Sequence, residues 1–71
     1  MASWQTVDGE RLRELRLERM YSQVELAKMA GLTQARVSNL EQEKHRAQPR
    51  TVRRLAEALG VEPKELVKKQ A

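Results

Sequence analysis

The sequence of 71 residues contains no cysteine and no phenylalanine, and it has one tryptophan, one tyrosine and three glycines. Without cysteine, neither a disulfide framework nor a thiolate metal site can form. With so few aromatic residues, the core has to be built from leucine, valine, alanine and methionine, and a chain of this length has room for one small domain. The composition therefore predicts a single domain with a modest aliphatic core.

Long apolar runs are missing as well. No stretch approaches the length of a transmembrane helix, and the sequence does not open with an apolar run of signal-peptide length. The glycines are scattered, so no glycine-rich phosphate loop is present. The only histidine, His45, stands alone, and a lone histidine is more often a surface residue than a base or a ligand. We therefore expect a cytoplasmic protein that is no enzyme, with no catalytic residue, cofactor, metal site, small-molecule ligand or membrane partner.

Positive charge is present in excess and is concentrated in one segment. The net charge is +4 and the sequence pI is about 10, which favours a polyanionic partner. Residues 44–54 contain no acid. The cations of this segment, besides His45, are Lys44, Arg46, Arg50, Arg53 and Arg54. A basic segment of this kind predicts contact with a nucleic-acid backbone, although each cation could instead be an ordinary solvated charge.

Residues 22–42 contain two short helical patterns joined by a turn. Ser22 is a good N-cap, and Glu25 three residues later completes a capping box. Gly31 suits the left-handed turn that ends a helix, because it has no Cβ. Thr33 can cap the second helix, which we expect over residues 33–42.

The second of these helices has two different faces. At about 100° per residue, Thr33, Val37 and Leu40 share one face. The opposite face has only small, amide or hydroxyl side chains, and these are Gln34, Ala35, Ser38, Asn39 and Gln42. Such a surface can enter a major groove and form hydrogen bonds with base edges.

This pair of helices resembles the helix-turn-helix of the lambda-repressor and Cro type, also called the xenobiotic-response-element type. Gln23, Ala27 and Gly31 match the family pattern. The apolar positions of the pattern are also matched, by Leu26, Ala30, Leu32, Val37 and Leu40. The string TVRRLAEALGV at residues 51–61 resembles the fourth helix of the family, and the resemblance extends over roughly residues 9–67.

The resemblance implies an all-α fold, a compact five-helix lambda-repressor-like DNA-binding domain with the helix-turn-helix formed by helices 2 and 3. We expect this domain over residues 8–67, after an N-terminal segment 1–7 and before a basic C-terminal tail 68–71. Asp8 or Thr6 can cap a first helix that runs to about Arg19, and a fourth helix is expected from residue 49 or 50 to 59. A short last helix is expected from Pro63. Trp4 is expected to cover the domain as a lid, with a dimer contact as the alternative.

The sequence departs from the family pattern at two turns. Met20 and Glu43 stand where many family members have glycine. At Met20 we expect a tighter turn or a first helix longer by one residue. At Glu43, an acid facing DNA would repel phosphate, so either the side chain turns away or the loop does not approach the DNA backbone as usual.

Base readout is assigned to the outward face of the second motif helix. Gln34 can bond adenine bidentately, and Ala35 offers a methyl group to thymine or gives clearance. Ser38 and Asn39 can reach base edges deeper along the helix. Arg36 lies to the side of this face and could bond guanine or clamp a phosphate.

Phosphate contacts are assigned to polar residues on both sides of that helix. Gln23 is expected to donate to a phosphate from the first turn of its helix. The other candidates are Thr33, Gln42, Lys44, His45, Arg46, Arg50 and the backbone near Thr51. The resemblance further implies a structural ion pair between Arg16 and Glu41, whereas the alternative is that both side chains reach solvent.

Together these features predict a sequence-specific double-stranded DNA-binding transcriptional regulator. A repressor or autoregulator, such as a phage-type repressor or a small controller protein, fits the length. We expect a homodimer on an inverted-repeat operator, with Trp4, Leu66 and Val67 as candidates for the dimer contact, and a nucleoid-associated location. The alternative is a helix-turn-helix protein-interaction module such as an antitoxin or a coactivator-like adaptor. The antitoxin variant is disfavoured, because few residues are left outside the domain for a neutralising segment.

Overall fold

The computed structural model describes residues 3–68, and these form four α-helices and one 3₁₀ turn. The helices are α1 (Gly9–Glu18), α2 (Gln23–Ala30), α3 (Gln34–Glu41) and α4 (Pro49–Leu59), and the 3₁₀ turn is Pro63–Leu66. The all-α fold with a helix-turn-helix formed by α2 and α3 is confirmed. Of the expected basic tail, only Lys68 lies within the described residues, and Lys69, Gln70 and Ala71 lie outside them.

The expected short last helix begins at Pro63, but it is a 3₁₀ turn, so a count of five α-helices is not confirmed. The chain after Pro63 makes a single 3₁₀ turn and then extends, with Val67 at φ −109° and ψ 145°. Val67 forms an antiparallel bridge with Val7, and this pairing with a distant segment replaces a further helical turn. Leu66 is completely buried, so it is also unavailable for the expected dimer contact.

The core is a cluster of aliphatic side chains from every element. Leu12, Leu26, Val37 and Leu55 are each completely buried, which places one from each of the four helices at the centre. Helix α2 packs against α3 and α4, and α1 packs against α3 and the 3₁₀ turn. The core therefore fixes which face of α3 points inward and which face is left to solvent.

The first three helices start at side-chain caps that the sequence predicts. Asp8 rather than Thr6 caps α1, and its Oδ1 accepts a hydrogen bond from the Arg11 amide at 3.1 Å. The capping box of α2 is confirmed, because Ser22 Oγ accepts from the Glu25 amide at 3.0 Å and Glu25 Oε1 accepts from the Ser22 amide at 2.8 Å. Thr33 caps α3 by accepting from the amide of its third residue. Such caps satisfy amides that have no partner inside the helix.

All four helices end in the same backbone motif, although only two of the turns contain glycine. Gly31 and Gly60 have φ angles of 70° and 73°, and Met20 and Glu43 reach the same left-handed region at 58° each. After α1, the amide of Met20 donates to Leu17 and that of the next residue donates to Arg16, which is the pair of bonds that closes a glycine-ended helix.

The expectation of a tighter turn or a longer first helix at Met20 is therefore wrong. Helix α1 ends at Glu18, and Met20 keeps the backbone geometry that glycine would adopt. An L-residue in this conformation costs roughly 1–2 kcal/mol, because its Cβ approaches a carbonyl oxygen. The Met20 side chain is 89% exposed, so core packing does not offset that cost.

The segment at residues 5–9 joins parts of the chain that lie far apart in sequence. Gln5 and Ala47 exchange two backbone hydrogen bonds, of 2.7 and 2.9 Å. The Lys68 amide donates to the carbonyl of Thr6 at 2.9 Å, beside the bridge of Val7 with Val67. This segment therefore ties both the loop after α3 and the chain after the 3₁₀ turn to the start of α1.

Trp4 precedes this segment and does not act as a lid. Its side chain is 51% exposed and lies outside the group of side chains packed on the core. The residue that follows it, Gln5, forms an antiparallel bridge with Ala47. The expectation of a packed lid is wrong.

Gly9, the first residue of α1, packs directly on the backbone at the end of α3. A Cβ built on Gly9 would overlap the carbonyl oxygens of Leu40 and Glu41. Only glycine lets the two helices approach this closely. The contact sets the distance between the start of α1 and the last turn of α3.

Candidate nucleic-acid interface

The outward face of α3 is open to solvent along its length. Val37 and Leu40 are completely buried, and they fix the orientation of α3 about its own axis. On the other side, Gln34 and Ala35 are exposed, and Ser38 and Asn39 are partly exposed. The structure therefore brings the residues expected to read bases together on one accessible helix face.

Gln42 and Ser38 form a pair at the C-terminal end of this face. Gln42 Nε2 donates to Ser38 Oγ at 2.8 Å, one helical turn away. Gln42 is the C-cap residue of α3 and is exposed. The bond orients both side chains along the helix surface, where the amide of Gln42 keeps a second N–H for another acceptor.

The Arg36 side chain extends toward the loop that follows α3. Its Nη2 donates to the carbonyl oxygen of Arg46 at 3.2 Å. This position lies to the side of the base-reading face and next to the basic loop. It favours the phosphate interpretation of Arg36 over the guanine interpretation, because the guanidinium sits beside the other candidate phosphate ligands.

Arg16 and Glu41 form a buried bidentate ion pair between α1 and α3. Arg16 Nε lies 2.6 Å from Glu41 Oε2, and Arg16 Nη2 lies 3.1 Å from Oε1. The two side chains are only 9% and 4% exposed, so the alternative that both reach solvent is wrong. Arg16 Nη1 also donates to the carbonyl oxygen of Tyr21 at 3.0 Å. Removing one partner of such a buried pair costs about 3–5 kcal/mol, because the other charge is left without compensation.

The same carboxylate holds Gln23, the candidate phosphate donor of α2. Gln23 Nε2 donates to Glu41 Oε1 at 3.1 Å. Gln23 is the first residue of α2 and is partly exposed. One N–H of its amide is therefore fixed on the ion pair, and the other is available to an outside acceptor.

The loop between α3 and α4 presents three cationic or titratable side chains. Lys44, His45 and Arg46 are all exposed, whereas the following Ala47 is completely buried. The buried alanine anchors the end of the loop in the core. The candidate phosphate ligands of this loop are therefore placed on the surface between two fixed points.

Helix α4 begins differently from the other three helices. Its N-cap, Gln48, makes no side-chain cap hydrogen bond, and Pro49 occupies the first position. The amides of Arg50 and Thr51 thus lie at an N-terminus that no side chain caps, and Arg50 is exposed. Uncapped amides and the positive end of the helix dipole favour an anion. The geometry suits the phosphate contact expected from the backbone near Thr51.

Glu43 turns away from the exposed face of α3, as one of the two expectations required. Its Oε2 accepts from the Gly9 amide at 2.9 Å, and its Oε1 accepts from Lys68 Nζ at 2.5 Å. The bond from Lys68, followed by the bond from the Gly9 amide, holds the pKa of Glu43 below its ordinary value. The negative charge of the Glu43 carboxylate is therefore already paired with groups of its own domain.

Gly9 and Lys68 were not among the candidate site residues of the sequence. Gly9 lies 34 residues from Glu43 in the sequence, and Lys68 lies 25 residues from it. No local spacing signals such contacts. The only signal was the acid at Glu43, where many family members have glycine, directly before the basic segment at residues 44–54.

Between residues 3 and 68, no group of three or more histidine, cysteine, aspartate or glutamate side chains could hold a metal ion. None of the helices in this part is both long and apolar enough to cross a membrane.

The sequence and the fold are both similar to those of known proteins. A family model described as helix-turn-helix matches residues 12–66. The restriction-modification controller protein C.AhdI from Aeromonas hydrophila is 38% identical over 80% of this chain and 86% of its own, with a TM-score of 0.78. The P22 c2 repressor protein, solved in complex with a synthetic operator, is 28% identical over 90% of this chain and 97% of its own, with a TM-score of 0.83.

An enzyme also contains a similar unit. A hydroxyethylphosphonate dioxygenase mutant is 29% identical over 92% of this chain, with a TM-score of 0.79, but the match covers only 14% of that enzyme. The shared part is therefore a small portion of the dioxygenase. No curated protein matches the sequence.

Proposed function

The chain belongs to the lambda-repressor-type helix-turn-helix family, and we propose that it acts as a sequence-specific DNA-binding transcriptional regulator. One observation carries the proposal. The acid-free outward face of α3 lies next to the basic loop at residues 44–46 and the uncapped start of α4. A face that can enter the major groove is thus combined with groups that bind phosphate.

Sequence readout is proposed for the first turns of α3. With α3 in the major groove, Gln34 bonds adenine through its amide, and Ala35 contacts a thymine methyl group or gives clearance. Ser38 and Asn39 follow one turn later on the same face. These residues determine which sequence is bound, whereas phosphate contacts determine where the domain sits on the duplex.

Phosphate binding is proposed from three separate elements. Gln23 uses the amide N–H that is not held by Glu41. Lys44 and Arg46 act from the loop, and the Arg50 side chain acts from the start of α4 together with the amides of Arg50 and Thr51. The side-chain charges release counterions from the duplex, so binding should weaken with added salt. Thr33, Gln42, His45 and Arg36 complete the proposed set.

Similarity to a controller protein and to an operator-bound repressor supports a repressor or autoregulator of small size. We propose a homodimer on an inverted repeat, because one α3 helix reads only one half-site. Two half-sites about 10 base pairs apart, or a multiple of that spacing, would accept the two copies of α3. The proposed location is the cytoplasm, on the nucleoid.

Selection of bound sites from random duplex DNA tests this function. We expect enrichment of an inverted repeat whose half-sites contain an adenine at the position read by Gln34. Failure to enrich any sequence would contradict specific binding. Gel filtration tests the dimer separately, and a strict monomer at high concentration, both free and on DNA, would contradict it.

A further inference from the structure

The loop that carries Lys44, His45 and Arg46 is attached at both ends to the segment at residues 5–9. At one end, Ala47 exchanges two backbone hydrogen bonds with Gln5. At the other end, the Glu43 side chain accepts from the Gly9 amide at 2.9 Å. The three exposed side chains thus lie on a short span between two anchors. Their direction depends on those anchors, together with the bond from the Lys44 amide to the Asn39 carbonyl and the bond from Arg36 Nη2 to the Arg46 carbonyl.

Glu43 is the anchor at the α3 end of the span, and its contacts are all positive. Its carboxylate meets the N-terminal end of α1 through the Gly9 amide, where the helix dipole is positive. It also pairs with Lys68 Nζ at 2.5 Å. Lys68 is itself held in place, because its amide donates to the Thr6 carbonyl at 2.9 Å. The acid therefore links the loop to two fixed points of the backbone.

A glycine at this position would end α3 with less strain and would lack the anchor. Glu43 has φ 58°, and its amide and that of Lys44 close the last turn of α3 through bonds that need no side chain. Those backbone bonds would form equally well with glycine. Glutamate, unlike glycine, contacts α1 and Lys68 through its carboxylate. In return, its backbone is strained in the left-handed conformation.

We propose that Glu43 is a positioning residue for DNA binding, held by Lys68 and the Gly9 amide so that Lys44 and Arg46 face the phosphate backbone. This inference rests on the proposed function. It predicts that removal of the Glu43 charge changes the DNA affinity in the direction opposite to that expected from the net charge alone. Replacing an acid with a neutral residue makes a basic domain more positive, which by itself strengthens DNA binding, yet loss of the Glu43 anchor should weaken it.

Glu43→Gln tests the inference most directly. Glutamine keeps an acceptor for the Gly9 amide but loses the charge pair with Lys68, so the fold is expected to persist. The measurement is the affinity for a duplex recovered from random DNA, over a series of salt concentrations. We expect weaker binding and a slope of log K against log salt that is smaller by about one, because the Gly9 bond is kept and only the part of the anchor that Lys68 supplies is lost. Circular dichroism at the binding temperature verifies that the variant is folded.

Glu65→Gln is the matched control. Glu65 lies in an exposed ion pair with Arg11 and has no contact with the loop. Its replacement adds the same charge as Glu43→Gln. We expect Glu65→Gln to leave the salt slope unchanged and the affinity unchanged or slightly higher.

Lys68→Met tests the other partner of the pair, with Lys64→Met as its control. Both changes remove one exposed cation, but only Lys68 contacts Glu43. Lys68→Met should reduce the slope about as much as Glu43→Gln, although the two variants change the net charge in opposite directions. The double variant should lose no more than either single variant, because both remove the same interaction.

A salt slope that Glu43→Gln leaves unchanged, or binding that it strengthens, would overturn the positioning role. So would full additivity of Glu43→Gln and Lys68→Met. If the wild-type protein shows no salt-dependent affinity for any duplex, the proposed function fails together with this inference. Wild-type binding with an unaltered slope in Glu43→Gln refutes the inference alone.

Discussion

Gly9 and Glu41 are in direct backbone contact, and the last turn of α3 leaves no space for a Cβ on the first residue of α1. Glu41 supplies the carbonyl oxygen at this contact and the side chain of the buried ion pair with Arg16. The helix that is proposed to read DNA is therefore held against α1 twice, through its backbone and through a charged side chain.

Gly9→Ala should destabilise the domain by about 3 kcal/mol, because the obstacle is backbone and cannot move aside like a flexible side chain. Urea unfolding measures the loss. Gly60→Ala is the control, since a Cβ at Gly60 meets nothing and only the left-handed backbone is strained, at about 1–2 kcal/mol. Equal losses in the two variants would contradict the close contact.

Met20→Gly should stabilise the domain by about 0.5–1 kcal/mol. The change relieves left-handed strain, and part of the gain is offset by the larger freedom of glycine in the unfolded chain. The Met20 side chain is 89% exposed, so little packing is lost.

Met29→Gly is the matched control for Met20→Gly. Met29 lies within α2, where glycine costs about 0.5–1 kcal/mol. Thermal unfolding should therefore shift in opposite directions for the two replacements of methionine by glycine. A lower stability for both would show that the turn at Met20 is not strained.

Gln34→Ala and Arg50→Ala should separate base readout from phosphate binding. Gln34→Ala should cost about 1–3 kcal/mol on the selected site and relax specificity at one base pair. Arg50→Ala should weaken binding to all sequences alike and reduce the salt slope by about one. Fluorescence anisotropy on selected and scrambled duplexes measures both effects.

Arg13→Ala is the control for these two variants, because Arg13 is exposed on α1 and lies outside the proposed interface. It should alter neither specificity nor the salt slope appreciably. If Gln34→Ala binds the selected duplex as tightly as the wild type does, the readout assignment of Gln34 is wrong.

Stability should fall in acid through two glutamates. The Ser22 amide and then the Ser22 hydroxyl lower the pKa of Glu25, and Lys68 and the Gly9 amide lower that of Glu43, each from an ordinary value of 4.5. A carboxyl group whose folded pKa is lowered contributes its stabilisation above its unfolded pKa and loses it as the pH falls through the folded pKa.

Urea unfolding from neutral to acidic pH should therefore show a decline that begins near pH 4.5 and continues below it. Glu25→Gln and Glu43→Gln should each be less stable at neutral pH and decline less steeply in acid. An acid limb as steep in both variants as in the wild type would show that other groups control it.

The parts of the fold that the sequence predicts best depend on neighbours three or four residues apart. The capping box of Ser22 with Glu25, the cap at Thr33 and the glycine turn at Gly31 are of this kind. Their chemistry is complete within one helical turn, so a local pattern is sufficient to identify them. The pairing of Arg16 with Glu41, 25 residues apart, was predicted only through the family resemblance.

The parts that were predicted wrongly depend on contacts between distant segments. Val67 extends because it pairs with Val7, which ends the expected last helix after one 3₁₀ turn. Met20 keeps the glycine-like turn because α1 and α2 are both packed on α3, and this prescribes the path of the chain between them. The contacts of Glu43 with Gly9 and Lys68 were missed for the same reason. Such relations follow from the tertiary structure, and a single sequence carries no local signal for them.

The bridges made by residues 5–9 also bear on the order in which the domain forms and opens. The bridge between Val7 and Val67 closes nearly the whole chain into one loop, whereas the helices form from neighbouring residues. Closing a long loop carries an entropic cost that local contacts do not have. We therefore expect these bridges to form last on folding and to open first in the native state, ahead of the helical core. The loop that is proposed to bind phosphate depends on the same segment, so opening of these bridges should also loosen the contact with DNA.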